Sequence, residues 1–481
     1  MSTPTGAHAI TFGTEGWRAV ISDEFTFANV RRVAQAIAAY YTQYAQTKQR
    51  LPRLAVGYDT RFLSDAYAQT VAEVCAANGL TVTLATRPIP TCAVSRAIVD
   101  GQLLFGLMIT ASHNPPQFNG IKIKDATGGS VEQDVTGAVE GLIDAQPVRQ
   151  MPLAEAERAK QITRADLLPG YLRGIASYVD LKAIKRVPMR ALVDSMHGVG
   201  GALIAQLLRG GRTQVTTLRG TPDALFGGSA PEPIPKYLTE LLRQMKGRRY
   251  ALGIANDGDA DRIGAATPRG EFLSPGMILT LLLLFFIKER GWTGEVVKSL
   301  SNTSLITRVA AKHNLTLHET PVGFKHIAAL IRTRDILIGG EESGGIGVKG
   351  YLPERDGVLL GLLLLEMLAK RRRPILQLID ALEREFGKLY YQRQDIHYPE
   401  VAKPKLFGWL KARTPTALDG QPVVDVKTYD GVKLIARDGS WLLYRLSGTE
   451  PILRIYAEGT TRARARTLLA QGEAWAAQFH A

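Results

Sequence analysis

Cysteine is almost missing from this chain: two residues, Cys75 and Cys92, among 481. Cys75 falls in a helical pattern and Cys92 lies near Pro90, so neither a disulfide framework nor a cysteine-based metal signature can be built from them. A reducing cytoplasm is the expected location. Long apolar runs are also missing. The longest, Met277 to Ile287 and Val358 to Leu368, fall short of the roughly 20 residues that a bilayer helix needs, and are expected as core helices. A basic start followed by an apolar block is absent from the N-terminus, so no secretory signal is expected.

Acidic residues are outnumbered, with 45 Asp and Glu against 59 Lys and Arg, a net charge of +14. Such an excess raises nucleic-acid binding, but the positive residues are scattered. The dense run Lys370-Arg371-Arg372-Arg373 ends an apolar helix just before Pro374, where cations suit the helix dipole. Nor is there an interleaving of basic and aromatic residues of the kind that stacks bases. Neither a nucleic-acid nor a membrane partner is expected, and an anionic small substrate accounts for part of the excess. With 45% apolar and 22% charged residues the chain is long enough for several cores.

What is present is a set of polar loops placed at strand ends. In Asp257-Gly258-Asp259-Ala260-Asp261-Arg262 three carboxylates alternate with small residues, so an extended or looped backbone brings them to one cation. Uncompensated, they would repel one another. Hard oxygen ligands favour Mg²⁺, and Arg262 offers a bidentate grip on a phosphate. The alternatives are a solvated acidic turn or a Ca²⁺ loop. An EF-hand needs flanking helices and a Glu at its twelfth position, whereas Ala251 to Ala255 reads as a buried strand.

Thr110-Ala111-Ser112-His113-Asn114-Pro115 follows the apolar strand Leu107-Met108-Ile109, which puts the Ser112 hydroxyl where open α/β sheets carry out their chemistry. A turn serine bonding its own backbone is the alternative role. A third strand, Ile336 to Ile338, runs into Gly339-Gly340-Glu341-Glu342-Ser343-Gly344-Gly345. Its glycines allow close backbone approach, and its carboxylates and Ser343 can bond sugar hydroxyls. In Arg445-Leu446-Ser447-Gly448-Thr449-Glu450-Pro451 a guanidinium, two hydroxyls and a nest of amides are the parts of a phosphate clamp. Strand alternation can aim Arg454 at the same anion.

Together these four ordered motifs resemble the α-D-phosphohexomutase superfamily, which includes phosphoglucomutase, phosphomannomutase and phosphoglucosamine mutase. The resemblance runs from Phe12-Gly13-Thr14-Glu15-Gly16-Trp17-Arg18 to Glu458. It implies an α/β fold of four domains around a central cleft, three related α/β units with mixed sheets and a smaller C-terminal α+β domain. The expected domains are 1–163 with the phosphoserine loop, 164–268 with the metal loop, 269–387 with the sugar-recognition loop and 388–481 with the phosphate loop. Strand and helix patterns agree with this rhythm: Leu54 to Gly57, helical Ser64 to Asn78, then Thr81 to Ala85; and Ala191 to Val193, helical Val199 to Leu208, then Val215 to Leu218.

By the same resemblance Ser112 looks like the family's phosphoserine, with His113 beside it, and its phosphoryl group would meet Mg²⁺ held by Asp257, Asp259 and Asp261. Lys122 matches the lysine near the nucleophile and is the candidate general base. Glu341 and Ser343 look like the sugar-reading pair, and Arg445, Ser447, Gly448 and Thr449 like the distal phosphate site. Arg18, Lys298, Gly323 and Lys325 fall in segments that line the cleft in relatives.

The reaction implied is transfer from phosphoserine to a hexose phosphate, giving a sugar 1,6-bisphosphate that turns and returns its other phosphoryl group. Glucose 1,6-bisphosphate is then the expected activator, and a monomer or weak homodimer the expected assembly. The Glu-Glu-Ser-Gly-Gly loop and Val322-Gly323-Phe324-Lys325 resemble glucose-type enzymes, since the glucosamine type usually has Gln before the Ser and His at the position of Gly345. Mannose remains close, because it differs only at C2. Two readings of another class also fit parts of the pattern. A metal-dependent sugar phosphatase has no need of the Arg445 to Thr449 clamp, and a non-catalytic sugar-phosphate-binding protein has no use for a poised hydroxyl beside a metal site.

Overall fold

The computed structural model describes residues 10–13, 16–247, 249–397, 403–446 and 452–479. Contacts divide the chain into two units, one made of the segments up to Pro275, Ala328–Arg334 and Ser343–Ile375, the other of Gly276–Ile327, Asp335–Glu342 and the rest from Leu376.

The first unit holds two sheets. In one, six strands lie in the order Gly16–Val20, Phe118–Lys124, Phe105–Ile109, Arg53–Tyr58, Thr81–Ala85 and Ile162–Ala165. The last four are parallel, and the first two antiparallel. The inner strands are continuous apolar runs because the helices Ser64–Ala77 and Thr91–Gly101 pack on the sheet. The antiparallel pair sets Lys122 opposite Met108 on one side and Gly16 on the other.

In the second sheet the order is Phe272–Leu273, Ile263–Ala266, Leu252–Asn256, Arg190–Asp194 and Gln214–Leu218, again parallel at one side and antiparallel at the other. Leu192, Leu238, Leu241, Met245, Ala255 and Ala266 form a buried cluster beside it. The helix expected over Val199 to Leu208 is shorter and spans Leu203–Leu208. Its first four expected residues are a turn, because Gly200 and Gly201 break the backbone there, Gly201 with φ +42°. The apolar stretch after Asp356 is the helix Gly357–Arg371, buried along nearly its whole length. It stops at Arg372, whose left-handed backbone returns its N–H to the Leu368 carbonyl just ahead of Pro374.

In the second unit the parallel strands Leu317–Thr320 and Ile336–Gly340 flank Glu295–Ser299, which follows the apolar helix Pro275–Glu289 in the chain. The C-terminal sheet is antiparallel throughout, in the order Tyr390–His397, Ile452–Gly459, Trp441–Leu446, Val432–Ala436, Gln421–Lys427 and Ala417–Leu418. Leu406, Leu434, Leu442, Leu453, Ile455 and Leu468 are buried together beneath it. Three α/β layers and a C-terminal α+β layer are thus the fold that the motifs imply. Among the described residues no helix is long and apolar enough to cross a membrane. Cys75 and Cys92 are buried, unbridged thiols.

Candidate active site

Two strand ends of the first unit carry the serine turn and the aspartate loop. After Phe105–Ile109 the chain turns at Ser112, whose φ of +54° is left-handed for a residue with a side chain, a strain of about 1–3 kcal/mol that surrounding contacts must hold. Ser112 is fully buried. Its N–H donates to Thr110 Oγ1 at 2.8 Å, its hydroxyl to Asp257 Oδ2 at 2.7 Å, and His113 Nδ1 lies 3.4 Å from the same hydroxyl.

Residues Asp257 to Arg262 form the loop between the antiparallel strands Leu252–Asn256 and Ile263–Ala266. The loop closes on itself through Ala260 N–H to Asp257 O at 3.1 Å, with Ala260 at φ +59°. It approaches the serine turn so closely that a Cβ at Gly258 would lie 2.6 Å from the Ser112 carbonyl oxygen, and glycine there is what lets the two turns meet.

Asp257, Asp259 and Asp261 are fully buried, and each offers a carboxylate oxygen within 4.8 Å of the others. Asp257 Oδ1 accepts the Arg262 N–H at 3.0 Å. Asp259 Oδ2 accepts the Thr91 hydroxyl and the Lys122 ammonium, both at 2.6 Å. Asp261 Oδ2 accepts Lys122 at 2.8 Å and Arg355 at 2.6 Å, and Arg262 Nε is 4.0 Å from Asp261 Oδ1. Among the described residues the Oδ1 atoms of Asp259 and Asp261 accept no hydrogen bond. Two buried carboxylate oxygens that accept no hydrogen bond are costly unless a cation meets them, so the donor set fits a divalent metal.

Electrostatics point the same way. Burial, then the charges of Asp259 and Asp261, push the Asp257 carboxyl well above its usual range. Burial and Asp261 also push Asp259 up, but Lys122 and the Thr91 hydroxyl outweigh them and hold it low. At Asp261 burial is overcome by Arg355, Lys122 and Arg262, which hold it well below. The three carboxylates thus repel one another in a buried setting and are offset in part by Lys122, Arg262 and Arg355, a repulsion that a bound cation would relieve.

Of the sequence candidates, Ser112, His113, Lys122, Asp257, Asp259, Asp261 and Arg262 come together in the first unit. Arg18 joins them through its bond to Asn114 Oδ1 at 2.7 Å. Ser343 is half-buried, and its neighbour Gly344 accepts the Ile263 N–H at 3.1 Å. Lys122 is an ammonium donor to two carboxylates here, so acting as a base requires giving up both contacts.

In the second unit Glu341 Oε1 accepts the Gly323 N–H at 2.8 Å, and Lys325 follows at the start of the helix Phe324–Thr333. Lys298 lies 3.3 Å from Glu319, its pKa lowered because burial outweighs that carboxylate. Arg445 Nε donates to both Asp430 oxygens, at 3.0 and 3.1 Å, and Asp430 also accepts the Val322 N–H at 2.6 Å. Arg445 and Arg454 are direct cross-strand partners, and Arg454 Nε is 3.8 Å from Asp395. Ser447, Gly448 and Thr449 lie outside the described residues.

Arg355, Arg61, Asp59 and Thr91 are the residues that the sequence reading missed. Arg355 stands in Pro353-Glu354-Arg355-Asp356-Gly357, where Asp356 caps the following helix by accepting the Leu359 N–H. An Asp before a long apolar run signals that cap, but nothing local marks Arg355 as a partner of Asp261.

Four family models match the chain: phosphoglucomutase/phosphomannomutase α/β/α domain I over residues 9–149, domain II over 169–270, domain III over 275–386 and the C-terminal domain over 403–472. A solved structure from Thermus thermophilus, provisionally assigned as a phosphomannomutase, is 35% identical with a TM-score of 0.85, covering 97% of this chain and 99% of that one. A phosphoglucomutase/phosphomannomutase of Thermococcus kodakarensis is 28% identical over 96% of this chain and 97% of its own length. A phosphoglucosamine/phosphogalactosamine mutase of Sulfurisphaera tokodaii is 30% identical over 93% and 94%.

Proposed function

Because the chain belongs to the phosphoglucomutase/phosphomannomutase family, and is therefore a phosphohexomutase, an isomerase, we propose that it moves a phosphoryl group between C1 and C6 of a hexose phosphate, glucose before mannose and glucosamine, with Ser112 as the carrier. The observation that carries this reading is the Ser112 hydroxyl 2.7 Å from Asp257 inside a buried cluster of three aspartates.

Asp257, Asp259, Asp261 and the phosphorylated Ser112 would hold Mg²⁺. When bound, it would polarise the phosphoryl oxygens and supply the positive charge that a phosphoserine of roughly −1.5 to −2 needs, at a centre where Lys122, Arg262 and Arg355 already balance three carboxylates. Ser112 gives up its phosphoryl group as the bond from phosphorus to its Oγ breaks and one to the sugar hydroxyl forms. The proton of that hydroxyl must go to a base. Lys122 is the sequence candidate, but it donates to Asp259 and Asp261, so its first task is charge balance, and His113, 3.4 Å from the Ser112 hydroxyl, is the other candidate. The buried setting of Ser112 excludes water, which would otherwise take the phosphoryl group.

The non-reacting phosphate is read as held by Arg445 with Ser447, Gly448 and Thr449, and the cross-strand position of Arg454 supports its share in that grip. Lys298, Gly323, Lys325, Glu341 and Ser343 are read as sugar contacts. The bond of Glu341 to Gly323 supports one recognition surface made from two loops. For the sugar, a Cβ at Gly345 would lie 2.2 Å from Arg355 Cδ, so the histidine of the glucosamine-type loop has no room while Arg355 holds Asp261. The two buried thiols agree with a reducing cytoplasm, which is part of this proposal.

The relatives' names cover several sugars, so the direct experiment compares kcat/KM for the glucose, mannose and glucosamine 1-phosphates, with and without glucose 1,6-bisphosphate. Glucose should lead, and the bisphosphate should raise activity. A ranking led by glucosamine would overturn the choice of sugar, and phosphate release faster than isomerisation would favour a phosphatase.

A further inference from the structure

We propose that Arg61 is a positioning residue for phosphoryl transfer, a clamp on the backbone of the Ser112 turn; the inference rests on Ser112 being the phosphoryl carrier. The Arg61 side chain is wholly buried. Its Nη1 donates to the carbonyls of Pro115 at 2.8 Å and Phe118 at 2.9 Å, and its Nη2 to those of Ser112 at 2.7 Å and Asn114 at 2.6 Å. One guanidinium thus gathers four carbonyls of a single turn, a task that suits its planar fork and not the point charge of a lysine. The Phe226 ring lies 4.9 Å from the guanidinium carbon.

The second half of the clamp reaches the other side of the serine. Asp59, 3.2 Å from Arg61 Nε, accepts the Thr110 hydroxyl at 2.6 Å, and Thr110 Oγ1 in turn accepts the Ser112 N–H at 2.8 Å. The amide and the carbonyl of Ser112 are therefore both tied to one short segment, Asp59-Thr60-Arg61, that follows the strand Arg53–Tyr58. Between these ties Ser112 keeps its left-handed φ of +54°, a conformation that an untethered serine leaves readily. Among the described residues the clamp makes no hydrogen bond or ion pair with a carboxylate of the aspartate cluster, which feels only the nearby charges of Arg61 and Asp59. Its contribution is the direction of the hydroxyl, and misplacement of a reacting group by about 1 Å costs on the order of 100-fold in rate.

The experiment uses the Mg²⁺-loaded enzyme and the variants Arg61→Lys, Thr110→Val and Ser112→Ala. Arg61→Lys keeps the charge near Asp257 and Asp259 and removes the fork; Thr110→Val removes only the hydroxyl link. Both should lower kcat, and the rate at which glucose 1,6-bisphosphate phosphorylates Ser112 by intact mass, about 30- to 100-fold. KM and the Mg²⁺ half-saturation should stay within about twofold. A merely structural role would lower the melting temperature and leave kcat intact well below it. Wild-type kcat in the variants, or a loss expressed as a raised KM or Mg²⁺ requirement, overturns the clamp. If Arg61→Lys does not fold, Thr110→Val decides by the same criteria. Turnover by Ser112→Ala would overturn the carrier assignment and the clamp with it, whereas an inactive Ser112→Ala beside a normal Arg61→Lys overturns the clamp alone.

Discussion

Lys122→Met is the perturbation that reads the charge balance of the site most fully. Methionine keeps the packing of the stem on the strand Phe118–Lys124 and removes an ammonium held 2.6 Å from Asp259 and 2.8 Å from Asp261. All three groups are buried, and removing one partner from such a cluster costs about 3–5 kcal/mol, because the carboxylates left behind are not resolvated. At about 1–1.5 °C per kcal/mol, the conversion for a cooperative unit of this size at about 2 cal/mol/K per residue, the melting transition in chelator should fall by about 3–8 °C. Mg²⁺ should then stabilise the variant more than the wild type, since the variant cluster carries one more uncompensated negative charge. If that tightens binding about tenfold, a concentration that adds about 2.7 kcal/mol to the wild type adds about 4.1 kcal/mol to the variant. The assay is thermal melting by circular dichroism, with chelator and across a Mg²⁺ titration. An unchanged melting temperature in chelator, or a Mg²⁺ shift no larger than in the wild type, would refute the reasoning.

Asp356 carries a pH prediction. Burial raises its carboxyl to about 6, against the helix-cap and tyrosine hydrogen bonds that it accepts. A raised carboxyl means that the folded state binds more protons than the unfolded one between pH 4 and 6, so stability falls as pH rises through that window. Relative to Asp356→Asn, the wild type should lose about 2.4 kcal/mol between pH 4 and 7, and a flat difference in urea midpoints would contradict the burial argument. Arg445→Ala should lower kcat/KM by about 2–4 kcal/mol and increase dependence on added glucose 1,6-bisphosphate. Lysine at that position should recover only part of the loss, and unaltered kinetics would argue against a second phosphate grip.

Much of the candidate site was legible because its chemistry is contiguous: three aspartates in five residues, a serine beside a histidine at a strand end, glycines around Glu341. Runs such as Leu54 to Gly57 and Ile336 to Ile338 declared buried strands because both faces of a parallel sheet are covered. What was hidden is what the topology brings together. Thr91 meets Asp259 across 168 positions, and Arg355 meets Asp261 across 94, distances over which no local pattern carries information. Lys122 was legible as a residue near the nucleophile, but not as the ion-pair partner of two aspartates. The helix expected from Val199 starts at Leu203 because apolar periodicity does not register the backbone freedom of Gly200 and Gly201. A signal for Arg61 did exist, in an Asp-x-Arg segment between a strand and a helix, though only the fold gives it four carbonyls to hold.

The most direct measurement of the central claim is the phosphorylation state of Ser112 through a single turnover. Protein treated with ³²P-labelled glucose 1,6-bisphosphate and freed of excess ligand should carry label on Ser112 alone, at up to one phosphoryl group per chain by intact mass and peptide mapping. Adding unlabelled glucose 1-phosphate should discharge it into labelled bisphosphate at a rate no slower than kcat. Label on another residue, a discharge slower than turnover, or steady isomerisation by Ser112→Ala would contradict the account.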